Sequence, residues 1–334
     1  MTARAGLLLA LGCHLRCRAE LADQRRHRHL HWRDLDLNIA ILGFPKCGTN
    51  SLEAAVRNVA VPVIRNSSGS LKVAHNRQSI GFEDGFFALL EGPQERPWQA
   101  HGIHFNDRSL DDSGQTRGAL RFIRSPVCIY NIWCLQALAK IPKLRVILTV
   151  RDPSEQYVSW YNNFFTSSVY RFAGAERQLP SLEQAVRISR RLGPDGRLDA
   201  LPAGDRRLVG RVPRYMTYHR FLRHGGRFVG LIERARGLFA ERLMVMHMDE
   251  LRAPHSQHAM RALWRFLGVS EGWPARAPAE NRGRGMDALC SGRGRSRRLR
   301  SNLTEMLAQE YEGLYGPGGV LQHLRMGPCR RGRL

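Results

Sequence analysis

The chain has 334 residues, 43% of them hydrophobic, which supplies one sizeable core and excludes a wholly disordered polymer. Its formal net charge of +23 points to an anionic partner: a nucleotide, an acidic glycan, a nucleic acid or a membrane face. Only four of the 52 basic residues are lysines (Lys46, Lys72, Lys140, Lys143), and a GC-rich genome produces the same arginine skew, so charge alone does not select among these. No basic motif is interleaved with aromatics, so nucleic acid is not the expected partner.

Residues 1–34 read as a leader, a targeting segment or a disordered stretch. Arg4 is followed by the apolar run 5–13, which has the form of a short signal-peptide core. A transit peptide or an inaccurate gene start fits it equally. The run is far short of the ~20 residues of a membrane span, so any membrane association is expected to be weak and through this end. Asn66-Ser67-Ser68 and Asn302-Leu303-Thr304 are glycosylation triplets. The seven cysteines form no paired CxxC array, so no structural zinc site is expected. Their odd, scattered set shows no disulfide framework and leaves the redox compartment open.

Ordered structure is expected from about residue 35. The run 37–43 (LNIAILG) suits a buried parallel strand. Residues 44–50 form a loop, and 51–59 show helical spacing. A second buried strand is predicted over 144–150 (LRVILTV). Asp152 is placed to cap the helix that follows, Pro153 opens it, and Glu155 lies three residues on; this helix is expected to reach about residue 161. Helices are predicted over 182–192 and 228–239, and a third strand over 243–248. A further helix over 258–267 ends at Gly268. After an Arg/Gly-rich loop comes a last helix over 303–314, and 319–334 reads as a basic tail. Strands alternating with helices predict one α/β domain over 35–318, with three layers and a mainly parallel central sheet flanked by helices.

The segment Gly43-Phe44-Pro45-Lys46-Cys47-Gly48-Thr49-Asn50-Ser51 is a glycine-bounded loop between strand and helix, a place where backbone N–H groups and the helix dipole hold phosphate. Gly43 and Gly48 have the Walker A spacing. Thr49, however, stands where that motif has its lysine, and the lysine lies inside the loop at Lys46. A displaced lysine suits a shorter 5′ group than a triphosphate. The second signal is Arg151-Asp152-Pro153 after a strand, with Ser159 eight residues beyond the arginine. An arginine at a strand's C-terminal end lies where α/β folds take ligands, and its guanidinium can grip a phosphate.

The loop from Phe44 to Leu52 resembles the 5′-phosphosulfate loop of sulfotransferases that use PAPS (3′-phosphoadenosine-5′-phosphosulfate). The Arg-Asp-Pro segment with its later serine resembles their 3′-phosphate site. By this resemblance Lys46, Cys47, Gly48, Thr49, Asn50 and Ser51 hold the phosphosulfate, and Arg151 and Ser159 hold the 3′-phosphate. Four further stretches resemble the carbohydrate-directed branch, especially heparan sulfate sulfotransferases. They are Gly102-Ile103-His104-Phe105-Asn106-Asp107, Arg124-Ser125-Pro126, the segment from Gly226 to Leu251, and Cys290 through Arg297. The last implies that Arg293, Gly294, Arg295, Ser296 and Arg297 form a loop over the donor. The branch also implies a secretory location in the Golgi lumen, with cytoplasm and plastid as alternatives.

The pattern departs at the catalytic base, where the family's glutamate is replaced by Gly102. Sulfuryl transfer is an in-line displacement that needs cations for the leaving phosphate and a base for the acceptor's proton. Lys46 and Arg124 supply charge. His104 is the expected base and His101 the second choice; Asp107, Glu83 and His75 stay open. The chemistry requires no metal. The expected activity is transfer from PAPS to a hydroxyl or amine, with a carbohydrate as acceptor. The alternatives are a non-catalytic polyanion-binding paralogue of the same fold and a P-loop nucleotide kinase. The kinase lacks the Walker lysine and a convincing Walker B strand.

Overall fold

The structure is a computed structural model. It describes residues 37–56, 60–62, 120–126, 128–166, 180–193, 199, 201–210, 218–251, 256–269 and 294–323.

Five strands form one sheet: β1 (Ile39–Gly43), β2 (Ala60–Pro62), β3 (Leu120–Arg124), β4 (Arg145–Val150) and β5 (Leu243–His247). Their order is β2-β3-β1-β4-β5, and all neighbours run parallel. The connection leaves β1 towards β2 and β3 on one side, then crosses to β4 and β5 on the other. That reversal makes β1 the switch point, where open parallel sheets bind ligands beyond their C-terminal ends.

Both faces of the sheet are covered, as the near-continuous apolar strands require. Ala40, Leu42, Val146, Leu148 and Val150 face one side, against α2 (Ile132–Ala139) and α7 (Val229–Phe239). Ile39, Ile41, Ile147 and Met246 face the other, against α1 (Thr49–Val56) and α8 (Ser256–Leu267). This alternation follows from the two-residue period of a strand. Each fully buried leucine or isoleucine contributes about 1.5–3 kcal/mol of burial free energy. The result is the predicted three-layer α/β arrangement.

A second core is purely helical. Tyr157, Trp160 and Tyr161 of α3 (Pro153–Thr166) pack with Ile188 of α4 (Leu182–Leu192), Val209 of α5 (Ala203–Gly210) and Phe221 of α6 (Tyr218–His224). Leu303 of α9 (Gly294–Met306) closes it, together with Leu307, which precedes α10 (Ala308–Tyr315).

Several predicted boundaries are met by their local chemistry. Helix α4 opens on a capping box between Ser181 and Gln184. Asp152 caps α3 by accepting the Glu155 amide at 2.9 Å. Gly268 ends α8 with φ of +69°. Other boundaries move. The last helical region starts at Gly294 rather than 303, and it breaks at Leu307 into two helices. The second glycosylation triplet therefore falls inside α9. Helix α3 runs on to Thr166, and Trp160 and Tyr161 anchor its middle in the second core. The tail expected from residue 319 contributes the buried Leu321 to the sheet core, and its amide donates to Leu314 at 2.7 Å. The folded chain thus extends to at least residue 323.

One cysteine pairing is added that the sequence left open. Cys128 and Cys134 form a disulfide with a Cα–Cα distance of 5.6 Å. The turn Cys128–Tyr130 folds back onto the first turn of α2, where Asn131 caps the helix through the Trp133 and Cys134 amides. No sequence rule pairs two particular cysteines out of seven.

Candidate active site at the carboxyl ends of the strands

The phosphate-type loop leaves β1 at Gly43. A Cβ on this glycine would collide with Thr49 Cγ2 and Thr149 Oγ1, so only glycine lets the loop turn back against its own helix. Lys46 and Gly48 have φ of +68° and +84°. Left-handed residues spaced this way fold backbone N–H groups into an anion-binding concavity. Cys47 between them is fully buried, and burial pushes its thiol well above the ordinary range. Of the expected donor contacts at Cys47, only a backbone contact is compatible with that burial. Thr49 and Ser51 are buried in the first turn of α1, and Asn50 lies between them half-buried.

Arg151 emerges beside this loop. Gly43 and Thr149 are register partners on adjacent strands, so the segments after β1 and β4 leave the sheet together. Arg151 Nη1 lies 3.5 Å from the Lys46 carbonyl oxygen. Its Nε and Nη2 both donate to Glu155 Oε2, at 2.9 and 2.7 Å. Ser159 sits half-buried two turns along α3. Lys46 and Arg151, predicted far apart in the chain to serve one ligand, are therefore brought together.

Residues the sequence reading missed brace this cleft. Gln156 donates to the Pro45 carbonyl at 2.8 Å and accepts the Gly226 amide at 2.6 Å, tying loop, α3 and the α6–α7 turn together. Asn163 accepts Lys46 Nζ at 3.3 Å. Glu155 carried a readable signal, since an acid four residues after an arginine is an ion-pair spacing on a helix. Gln156 and Asn163 carried none.

Arg124 ends β3 almost fully buried. Its Nε lies 2.6 Å from Glu53 Oε2, and its Nη1 donates to Asn50 Oδ1. Its charge is matched by Glu53, and it reaches the phosphate loop through Asn50. His247 ends β5, fully buried, with Nε2 3.0 Å from the Tyr315 hydroxyl. The Tyr311 hydroxyl donates to Asp152 at 2.9 Å and lies 2.9 Å from Ser154 Oγ. Burial pushes the Asp152 carboxyl up to about 6 against the lowering effect of the Glu155 amide.

His101, His104 and Arg293 lie outside the described residues, as do Asp107, Glu83 and His75. Gly294, Arg295, Ser296 and Arg297 form the first turn of α9 rather than a loop, and Arg297 is exposed. Among the described residues no group of three or more His, Cys, Asp or Glu side chains is gathered to hold a metal ion. No helix among them is long and apolar enough to cross a membrane.

The whole frame superposes on a solved structure, a sulfotransferase from Alicyclobacillus acidocaldarius, with a TM-score of 0.51 over 87% of this chain and 99% of that one. The chain shares the fold of that protein. Sequence identity to that enzyme is 18%. No protein-family model matches the chain, and no curated protein matches it by sequence. In this fold the loop after β1 and the arginine after β4 share one cleft at the switch point of the sheet.

Proposed function

We propose that the protein is a sulfotransferase that takes a sulfuryl group from PAPS and passes it to a hydroxyl or amine of an acceptor, a carbohydrate being the acceptor class. The observation that carries this reading is the contact of the two predicted anion sites, with Arg151 Nη1 3.5 Å from the Lys46 carbonyl. A glycine-bounded loop, a helix start and two cations in one cleft fit a nucleotide with a short, doubly charged 5′ end and a further phosphate.

In this reading Lys46 stabilises the charge that grows on the leaving phosphate. The acceptor oxygen or nitrogen bonds to sulfur as the bond from sulfur to the bridging oxygen breaks, and the acceptor proton passes to a base, assigned to His104 with His101 as second choice. Ser159 and Arg151 hold the 3′-phosphate, and the first turn of α9 with Arg293 closes over the nucleotide. Arg124 acts on the loop through Asn50. The Cys128–Cys134 disulfide supports a secretory, oxidising location, because such bonds persist there and not among cytosolic thiols.

Calorimetric titration with PAP (adenosine 3′,5′-bisphosphate) and with ATP–Mg²⁺ tests the donor assignment. PAP is expected to bind and ATP–Mg²⁺ not to compete. Tighter binding of ATP–Mg²⁺ would transfer the site to the nucleotide kinase reading. Radiolabelled PAPS with a panel of hydroxyl and amine acceptors then tests turnover; PAP binding without turnover on any acceptor would favour the polyanion-binding paralogue.

A further inference from the structure

Beside the proposed donor cleft lie two arginines, Arg220 and Arg223, that no described carboxylate pairs with. Their cluster is built on Tyr130, which follows the disulfide-bonded turn. Its ring stacks on Trp160 of α3 at 6.0 Å and meets the edge of Phe44 at 6.0 Å. The His224 ring lies 5.1 Å away, and the Cζ of Arg220 is 5.6 Å from the ring centroid. The Tyr130 hydroxyl is buried and has no hydrogen-bond partner among the described residues. Arg223 Nε, on the same helix, is buried and unpaired in the same sense.

Such a group is costly as it stands. Phenolic hydroxyls and guanidinium nitrogens withdrawn from water need partners, and like charges held close repel. The cation–π contact of Arg220 with Tyr130 offsets only part of this. The imidazole of His224 registers the local field: burial first, then Arg220, Arg227, Arg223 and Arg234, hold it down to about 4. Arg227 is already occupied, donating to the carbonyls of Ser189, Arg223 and Gly193. Arg220, Arg223 and the Tyr130 hydroxyl are the groups left to receive a ligand. The cluster also adjoins the transfer end of the cleft. Phe44 opens the phosphate loop, and Trp160 stands one helical turn before Asn163, the residue that holds Lys46 Nζ.

We propose that Tyr130, Arg220 and Arg223 form an anion subsite that receives a carboxylate or sulfate carried by the acceptor. The subsite rests on the sulfotransferase reading for the identity of its ligand as acceptor, and on the cluster alone for its preference for an anion. An acceptor held there by its charge presents a neighbouring hydroxyl or amine towards the Lys46 end of the cleft.

The test uses p-nitrophenyl glucuronide and p-nitrophenyl glucoside, equal in size and different in one carboxylate. They are titrated into the full-length protein with and without saturating PAP. The glucuronide is expected to bind tighter, and Arg220→Met and Tyr130→Phe each to weaken it by about tenfold, the scale of one charge-assisted hydrogen bond. Glucoside and PAP affinities stay at the parent level in both variants. Tyr130→Phe keeps the aromatic stack, so it remains informative if Arg220→Met does not fold. Equal binding of the two glycosides by the parent overturns the subsite, as does an unchanged glucuronide affinity in a folded variant. Loss of PAP affinity in Arg220→Met overturns it differently, by assigning the cluster to the donor. Failure of the parent protein to bind PAP sinks the donor reading instead, and the glycoside comparison without PAP still reads the subsite.

Discussion

Arg151 is held by two partners at once: Glu155 takes Nε and Nη2, and the Lys46 carbonyl faces Nη1 at 3.5 Å. The side edge of the guanidinium is therefore engaged by a carboxylate, and in the proposed donor site a phosphate would meet the end formed by Nη1 and Nη2. Both partners of the ion pair are only 7% exposed. Truncation to Arg151→Ala should weaken PAP binding by about 2 kcal/mol or more, the scale of a charged hydrogen bond. Glu155→Gln leaves a buried guanidinium without its counter-charge, which costs about 3 kcal/mol of stability. If the donor site is as proposed, PAP would supply a negative charge at that point, so it should raise the melting temperature of Glu155→Gln by more than that of the parent. Calorimetry and thermal melts read the two effects. An unchanged PAP dissociation constant in Arg151→Ala would remove the 3′-phosphate assignment.

Gly43 has no room for a side chain, because its Cβ would meet Thr49 Cγ2 and Thr149 Oγ1. Gly43→Ala forces the loop away from β4 and misplaces Lys46. Loss of about 1–3 kcal/mol of stability, the scale for overpacking, should accompany a large loss of PAP affinity. A Gly43→Ala protein with parental melting temperature and PAP affinity would show that the close packing is not required.

The Cys128–Cys134 disulfide closes a short loop, and its removal should cost about 2 kcal/mol in the chain-entropy account. The paired variant Cys128→Ser with Cys134→Ser should melt lower than the parent in oxidising buffer, and the two should converge in dithiothreitol. Mass spectrometry of protein alkylated without reduction checks the bond directly; two modified thiols at these positions would contradict it.

Two buried groups predict opposite pH dependences in one window. His224 takes up a proton near 6.5 when unfolded but near 4 when folded, because burial and its arginine neighbours oppose the charge. Its contribution to stability is present above 6.5 and is lost as pH falls through about 4. His224→Gln should therefore lose less melting temperature between pH 7 and 4 than the parent. Asp152 has the reverse sign. Its carboxyl titrates near 6 when folded and near 3.8 when unfolded, so its contribution is present below 3.8 and is lost as pH rises through about 6. Asp152→Asn should lose more melting temperature than the parent on acidification. Parallel curves for parent and variant would show that the group is not perturbed in this way.

Much of the fold was legible because its signals are local. The apolar runs of β1 and β4 are buried on both faces, so they read as continuous hydrophobic strands, and the edge strand β5 reads alike from its own apolar run although its first three residues are partly exposed. Helix α4 was legible to the residue, since Ser181, Gln184 and Gly193 mark its ends. The strand β3 was not read as one, although the Arg124-Ser125-Pro126 motif at its end was. Its own sequence, LRFIR, is too short and too charged to stand out. The buried charge of Arg124 makes sense only once Glu53 and Asn50 are seen against it.

The sequence by itself determined the strands β1, β4 and β5 and the helices that follow them, the position of a phosphate-type loop with its lysine displaced, and the arginine that follows β4. These depend on residue type, spacing and turn chemistry within a few neighbouring positions. The tertiary structure alone decided that Lys46 and Arg151 share a cleft, that Cys128 finds Cys134, and that Tyr130 meets Arg220 and His224. The first and last of these join residues distant in the chain, and nothing local encodes them: they follow from the parallel register of β1 with β4 and from the packing of α3 against α6. The disulfide spans only six positions, but which of seven cysteines pair is decided by the turn that brings these two together.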